Sequence, residues 1–254
     1  MGMKDFFILP MIIMTVTSIG LAQDAALEKE LSRADSLYDN FDEAEALELY
    51  TSILNHNPDN YTALWRTSFL YSRIGYRLEG EQQRSYYDRA IALAKRALNV
   101  DSTDTQSNFV ASVALGRKAM VSGARERVEA SRDIKKYAER AIQLDSTNAG
   151  AWHVLGRWHF KVANLNFVER LAANTLFGGI PKASETKAMR SIEKAIELNS
   201  ENILYYYDLA RIYKHLGKDQ QAIGTCQKAL KKEPMTPDDP KWLDKCRNLL
   251  NALR

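Results

Sequence analysis

The residues best suited to chemistry in this sequence are rings and cations that recur at four-residue steps. In four segments a ring-bearing residue is followed eight positions later by a basic residue, and the residue four positions after the ring lies on the same side. Steps of four and eight place these side chains on one face of a helix. Cations pair with carboxylate or phosphate groups and flat rings supply contact area, so the pattern predicts an anion-binding surface. The predicted binding residues are Trp65, Phe69, Arg73, Phe109, Arg117, His153, Arg157, Lys161, Tyr207, Arg211, Lys214 and His215.

Simple solvation is the alternative for this surface, because long cations on an exposed helix face are often only hydrated. If the surface binds a partner, we expect Arg117, Arg157 and Arg211 to be mostly exposed, since the partner would satisfy their charge.

Catalytic chemistry has no support. His153 and His159 are six residues apart, which puts them on different helix faces and disfavours a shared metal site. Gly178-Gly179 follows an apolar segment rather than a strand, which disfavours a phosphate-binding loop. The sequence predicts a non-enzyme with no cofactor and no metal.

Two cysteines, Cys226 and Cys246, leave two possibilities open. They are either buried free thiols or the partners of one disulfide, and in both cases the last helix should bring them together.

The elements that position these residues form a repeat. Short polar corners occur at 57–60, 101–104, 145–148, 199–202 and 232–234. The intervals from the first corner onward are 44, 44, 54 and 34 residues, and 34 residues is the tetratricopeptide period. The helices that precede the corners carry small residues at steps of four and three, such as Ala90, Ala94 and Ala97, which allow close helix packing.

The predicted fold class is therefore all-α, a right-handed tetratricopeptide-repeat solenoid of about five helix pairs. The predicted repeat domain covers 23–239, and a capping helix covers 240–254. An insertion at about 162–183 contains a helix with Phe167, Val168 and Leu171, which we expect either to pack in the core or to cover one end of the groove as a lid.

The first 22 residues lie outside this repeat. The nearly apolar stretch from Phe6 to Leu21 ends in small residues and is typical of a signal peptide cleaved after Ala22. This predicts an exported protein, periplasmic or bound to the envelope, with an uncleaved membrane anchor as the alternative. With 35 basic and 32 acidic residues interspersed, the net charge of +3 gives no support for nucleic-acid binding.

One known family has a similar sequence pattern. The stretch Ala151–Ala163, followed by 176–183 and by Ala188 and Ala195, resembles the regulator of microtubule dynamics family, as does Leu64-Trp65-Arg66. The resemblance covers roughly residues 40 to 232 and implies an all-helical, non-enzymatic domain associated with microtubules, with a membrane anchor in some members. The signal-like N-terminus departs from that role, because tubulin is cytosolic, and points to an exported bacterial relative.

Three functions follow as hypotheses. The first is a scaffold that holds an extended acidic peptide or protein partner in its concave groove. The second is a carrier or sensor of an amphiphile such as a phospholipid. The third is a membrane-anchored microtubule-associated regulator, as the resemblance implies.

Overall fold

A computed structural model describes residues 25–177 and 182–253, all of whose regular elements are helices. The predicted signal peptide at 1–22 and the segment 178–181 lie outside these residues. Within the described part of the chain, no helix combines the length and apolarity needed to cross a membrane. The helices are α1 (25–39), α2 (Glu43–His56), α3 (Tyr61–Gly75), α4 (Gly80–Val100), α5 (Thr105–Met120), α6 (Ala124–Leu144), α7 (Ala149–Ala163), α8 (Phe167–Phe177), α9 (Glu185–Leu198), α10 (Ile203–His215), α11 (Asp219–Ala229) and α12 (Asp239–Asn251).

The helices stack as a solenoid. The first four pairs are α1 with α2, α3 with α4, α5 with α6, and α7 with α9, and the fifth is α10 with α11. Helix α8 is inserted inside the fourth pair and packs on α6, while α12 packs on α10 and α11. The predicted all-helical solenoid is confirmed.

The polar corners start the first helix of each following pair. The side chains of Asn60, Asp104 and Asn148 accept hydrogen bonds from backbone N–H groups of α3, α5 and α7 at 2.6–2.9 Å. These N-caps satisfy amides that a helix start leaves unpaired. Corner residues also join neighbouring repeats, since the Tyr61 hydroxyl donates to Asp104 at 2.6 Å.

Small residues form the packing faces of the second helices. The three alanines of α4 and the Ala222, Cys226 and Ala229 face of α11 are buried. The two helices of the fourth pair are in close contact at Gly156 of α7, where an added Cβ would lie 2.7 Å from a side-chain carbon of Ile192 in α9. Only glycine fits there without displacing α9.

The C-terminal helix returns to the second helix pair. Trp242 of α12 stacks on Tyr76, the residue after α3, with ring centroids 5.6 Å apart. Beside this stack, Arg77 Nη1 lies 3.2 Å from Asp238 Oδ2. We call these two contacts the closing contact, because they join residues about 160 positions apart and bend the stack into a ring.

Helix α8 differs from our expectation for the insertion. Phe167, Val168 and Leu171 are 79%, 60% and 56% exposed, so the apolar face that they form points outward, whereas Ala173 of the same helix is buried and lines the groove. The reason is that the other face of α8 is fixed by Glu169, which is fully buried and receives a hydrogen bond from Arg127 at 2.6 Å. Asn166 and Glu169 also cap the helix start reciprocally, at 2.9 and 3.0 Å.

The two cysteines meet between α11 and α12. Both are buried free thiols, and Cys226 and Cys246 are hydrogen-bonded to each other. That bond, together with burial, raises the pKa of the Cys246 thiol.

Candidate functional site: a cationic cavity inside the ring

The ring surrounds a partly open cavity of about 960 Å³. Its walls come from α3, α5, α7 and α10, the first helices of four consecutive pairs, and residues of α6, α8 and the segment leading into α12 also line it. A volume of this size is near the upper end of the range of about 300–1,000 Å³ for small-molecule sites.

Eight of the predicted binding residues line this cavity. They are Phe69, Arg73, Phe109, Arg117, His153, Arg157, Lys161 and Arg211. The helical spacing was sufficient to find them because equivalent positions of stacked repeats share a surface.

The other four predicted residues lie elsewhere. Trp65 packs between repeats with its ring 6.4 Å from Tyr38, and Tyr207 stacks on Trp242. His215 hydrogen-bonds to Glu185, and Lys214 is exposed. For α10 the cause is rotation along the superhelix, since the cavity face of α10 carries Leu204, Tyr205, Asp208, Arg211 and Ile212.

Several cavity cations are neutralised by carboxylates. Arg73 Nη2 lies 2.6 Å from Glu43 Oε1, and the Glu43 side chain is only 4% exposed. At the opposite end Arg127 and Lys161 lie 2.6 and 3.8 Å from Glu169. These pairs hold the cavity walls together and leave little attraction for a ligand.

A second group of cations is less balanced. Asp208, which sequence reasoning missed, hydrogen-bonds to His153 at 2.8 Å and lies 3.7 Å from Arg157 and 3.4 Å from Arg211. Burial opposes the ionisation of Asp208, but the charge of Arg157 and the bond to His153 outweigh it and hold its pKa well below the usual range. Its position three residues before Arg211 was the only sequence signal.

Arg117 lies beside this group without a carboxylate of its own. Its guanidinium carbon is 4.3 Å from the centroid of the Tyr76 ring, and no ion pair joins it to an acidic residue in the part of the chain that the structure describes. Burial lowers the pKa of Arg117 to about 10, and the charge of Arg157 acts in the same direction. We call Arg117, Arg157 and Arg211 the cationic cluster.

Exposure of the cationic cluster differs from our expectation. The Arg211 side chain is 48% exposed, but Arg157 is 34% exposed and Arg117 is partly buried. The expectation that all three are mostly exposed is wrong, because the ring closes around them.

An apolar part of the cavity lining, which we call the apolar wall, lies beside the cationic cluster. It consists of Phe41, Phe69, Phe109 and Val113, and the Phe69 and Phe109 rings are 5.4 Å apart. Phe41 holds a left-handed φ of 62°, a region that bulky residues rarely adopt, and its ring lies 5.2 Å from the Arg73 guanidinium. Gly150 makes room for Phe109, since an added Cβ would lie 2.6 Å from that ring.

The helix pairs and the cavity that they surround define a tetratricopeptide-type helical solenoid. A solved tetratricopeptide protein of Thermus thermophilus has the same fold, with a TM-score of 0.64 and 18% identity over 89% of this chain and 99% of that one. The family model described as Regulator of microtubule dynamics protein 1-3 matches residues 30–254. The chain belongs to this family, as its sequence resemblance predicted.

Individual members of this family also match the chain. The chain is 24% identical over 237 residues to Regulator of microtubule dynamics protein 2 of Mus musculus, covering 91% of the chain and 57% of that protein. It is 22% identical over 225 residues to protein 1 of Caenorhabditis elegans, covering 87% and 98%. Against protein 3 of Xenopus laevis the identity is 26%, covering 78% and 44%. The chain thus spans about half the length of the mouse and frog proteins.

Proposed function

We propose that the cavity binds an extended acidic segment of a partner protein. The observation that carries this proposal is the charge excess of the cationic cluster, whose three guanidinium groups have one carboxylate, Asp208, in contact with them among the described residues. Acidic groups of a ligand would supply the missing negative charge in a partly desolvated site, where charge-assisted hydrogen bonds are strong.

The apolar wall gives the second part of the recognition. Phe69 and Phe109 line the same cavity as the cationic cluster and offer flat surface to an aliphatic or aromatic side chain. A segment that carries both acidic and large apolar residues matches the cavity, whereas a purely acidic one would leave this wall unfilled.

A cavity-filling variant tests the proposal with a phage-displayed random heptapeptide library. Gly116 lines the cavity, and no atom lies within 4 Å of a Cβ added there, so Gly116→Leu places its side chain in free space. We expect the wild type to enrich peptides with Asp or Glu next to large apolar residues, and the variant to lose this enrichment.

The matched control is Gly224→Leu. Gly224 is also helical with no atom within 4 Å of an added Cβ, but it lies on α11 outside the cavity. Both changes replace glycine by a good helix former, so neither should lower stability. Enrichment without acidic residues, or equal enrichment by wild type and Gly116→Leu, would rule out the acidic-segment function.

An anionic amphiphile such as a phospholipid is the second candidate. The closing contact and the apolar residues of the lining, among them Phe109, Val113 and Leu165, favour it, because an apolar cavity wall shields an alkyl chain from water. Native mass spectrometry of the purified protein distinguishes this function from peptide binding. A bound lipid would add a discrete mass to the wild type that the Gly116→Leu variant lacks.

Family membership supports a third candidate, a role at microtubules, because the family match extends over residues 30–254. This role requires the domain to face the cytosol, whereas the N-terminal segment predicts export. Co-sedimentation of the purified protein with microtubules tests it directly.

A further inference from the structure

Arg117 stands out among the cavity cations when each is compared with its equivalent in the neighbouring repeat. Arg73 and Arg117 are 44 residues apart, one repeat interval, and both lie near the end of the first helix of a pair. Arg73 is held by Glu43 at 2.6 Å, but Arg117 forms no ion pair in the described residues. Asp238, whose charge acts on Arg117, is itself paired with Arg77. Arg117 therefore occupies the position equivalent to Arg73 but has no carboxylate in direct contact with it.

The surroundings of Arg117 leave room for that counter-ion. Gly116 beside it faces open space in the cavity, and Arg157 and the closing contact border the same space. Tyr76 covers the Arg117 guanidinium at 4.3 Å and is itself stacked on Trp242, so the arginine plane is supported from one side. A guanidinium fixed in this way presents its N–H edge to a planar oxyanion.

We propose that Arg117 is an oxyanion subsite of the cavity and binds one carboxylate of the acidic segment. The kind of ligand rests on the proposed function, but the subsite does not, since its unpaired cation and open space are properties of the chain alone. Arg117 supplies the counter-charge, and the open space at Gly116 admits the bound group.

The first test needs no ligand. In chloride buffer, Arg117→Met removes a partly buried charge that has no ion pair, and the Met side chain can replace the cation–π contact with Tyr76 by an apolar one. We therefore expect a Tm equal to or above that of the wild type. The matched control Arg73→Met leaves the buried Glu43 with fewer partners, and its Tm should fall by several degrees. If both variants lose stability equally, Arg117 is a structural residue and the subsite is rejected.

The second test uses an acidic heptapeptide selected from the library and measures fluorescence anisotropy. We expect Arg117→Met to weaken binding at least about tenfold, in line with a charge-assisted hydrogen bond. Replacing one peptide carboxylate by the amide should weaken binding to the wild type but not weaken it further in the variant. Equal affinity of the wild type and Arg117→Met would overturn the subsite.

The Arg117 subsite and the acidic-segment function can be rejected independently of each other. If no acidic peptide is enriched, inorganic phosphate at constant ionic strength becomes the probe. A phosphate-dependent rise in Tm that is present in the wild type and absent in Arg117→Met supports the subsite and rejects the acidic-segment function. Absence of that rise rejects the subsite as well.

Discussion

Asp208 is the residue on which the charge balance of the cavity depends. Its carboxylate is 7% exposed and has His153, Arg157 and Arg211 around it. Such a shared carboxylate keeps the arginines at fixed positions, while their combined positive charge still exceeds its own. A ligand carboxylate would therefore add to Asp208 rather than replace it.

His153 makes stability depend on pH at this site. Burial lowers the pKa of His153 more than its bond to Asp208 raises it, so the unfolded chain takes up the proton at a higher pH than the folded protein. Stability is then complete above the ordinary histidine pKa of about 6.5 and falls as the pH drops below it.

The variant His153→Gln keeps a side-chain N–H for Asp208 but cannot be protonated. Between pH 7 and pH 5 we expect it to remove up to about 1.4 kcal/mol per pH unit from the slope of unfolding free energy against pH. Urea unfolding at several pH values measures this slope, with the exposed His56→Gln as control. An unchanged slope in His153→Gln would mean that the folded protein protonates His153 freely.

At the scale of the helix pair, glycine has two opposite roles. Gly156 is needed where α7 and α9 touch, since an added Cβ would lie 2.7 Å from the Ile192 side chain and 3.0 Å from the Ala188 carbonyl oxygen. Gly116 in α5 has no such neighbour and faces the cavity. Gly156 therefore allows close helix packing, and Gly116 leaves free volume in the cavity.

Alanine at these two positions should change stability in opposite directions. Gly156→Ala forces α9 outward and should lower the unfolding free energy by about 1–3 kcal/mol. Gly116→Ala improves helix propensity without a clash and should raise it by about 0.5–1 kcal/mol. Guanidinium unfolding of both variants measures the difference. Destabilisation of similar size at both sites would show that glycine flexibility, not helix contact, is required.

The helix pairs were predictable because their signals are local. N-caps such as Asn60 and Asn148 and the small residues of α4 act within one or two turns, so sequence spacing reveals them. The orientation of α8 was not predictable. Its buried face depends on Glu169 meeting Arg127, a residue 42 positions away, and the apolar residues alone indicate the opposite face.

At the scale of the whole molecule, the cavity exists because the stack closes. Eight predicted residues reach it because each repeat places them in register, but Asp208 and Trp242 depend on the accumulated rotation of successive helices. That rotation is set by the packing at every helix interface, and the length of the repeat does not reveal it. The closing contact was therefore outside the reach of sequence spacing.

The closing contact should affect unfolding more than folding. It joins residues about 160 positions apart, so it forms after the repeats have stacked. Tyr76→Ala removes the stack on Trp242 and the cation–π contacts of Arg117 and Lys241. We expect faster unfolding by at least several-fold and a nearly unchanged folding rate in stopped-flow experiments.

Tyr86→Ala is the matched control for this change. Tyr86 packs on Tyr71 at 5.2 Å within one helix pair, so its contact is available early. It should slow folding as well as speed unfolding. If Tyr76→Ala slows folding to the same extent as Tyr86→Ala, the ring closes before the stack is complete.

Closure also limits how this chain can change its length in evolution. An open solenoid gains or loses units freely, because each unit contacts only its neighbours. Here one more unit between α3 and α12 would move Trp242 away from Tyr76, and one fewer would bring the two ends into collision. We therefore expect relatives that keep the Tyr76–Trp242 pair to keep the number of helix pairs between them, and to vary in length at α8, which lies inside one pair and outside the closing contact.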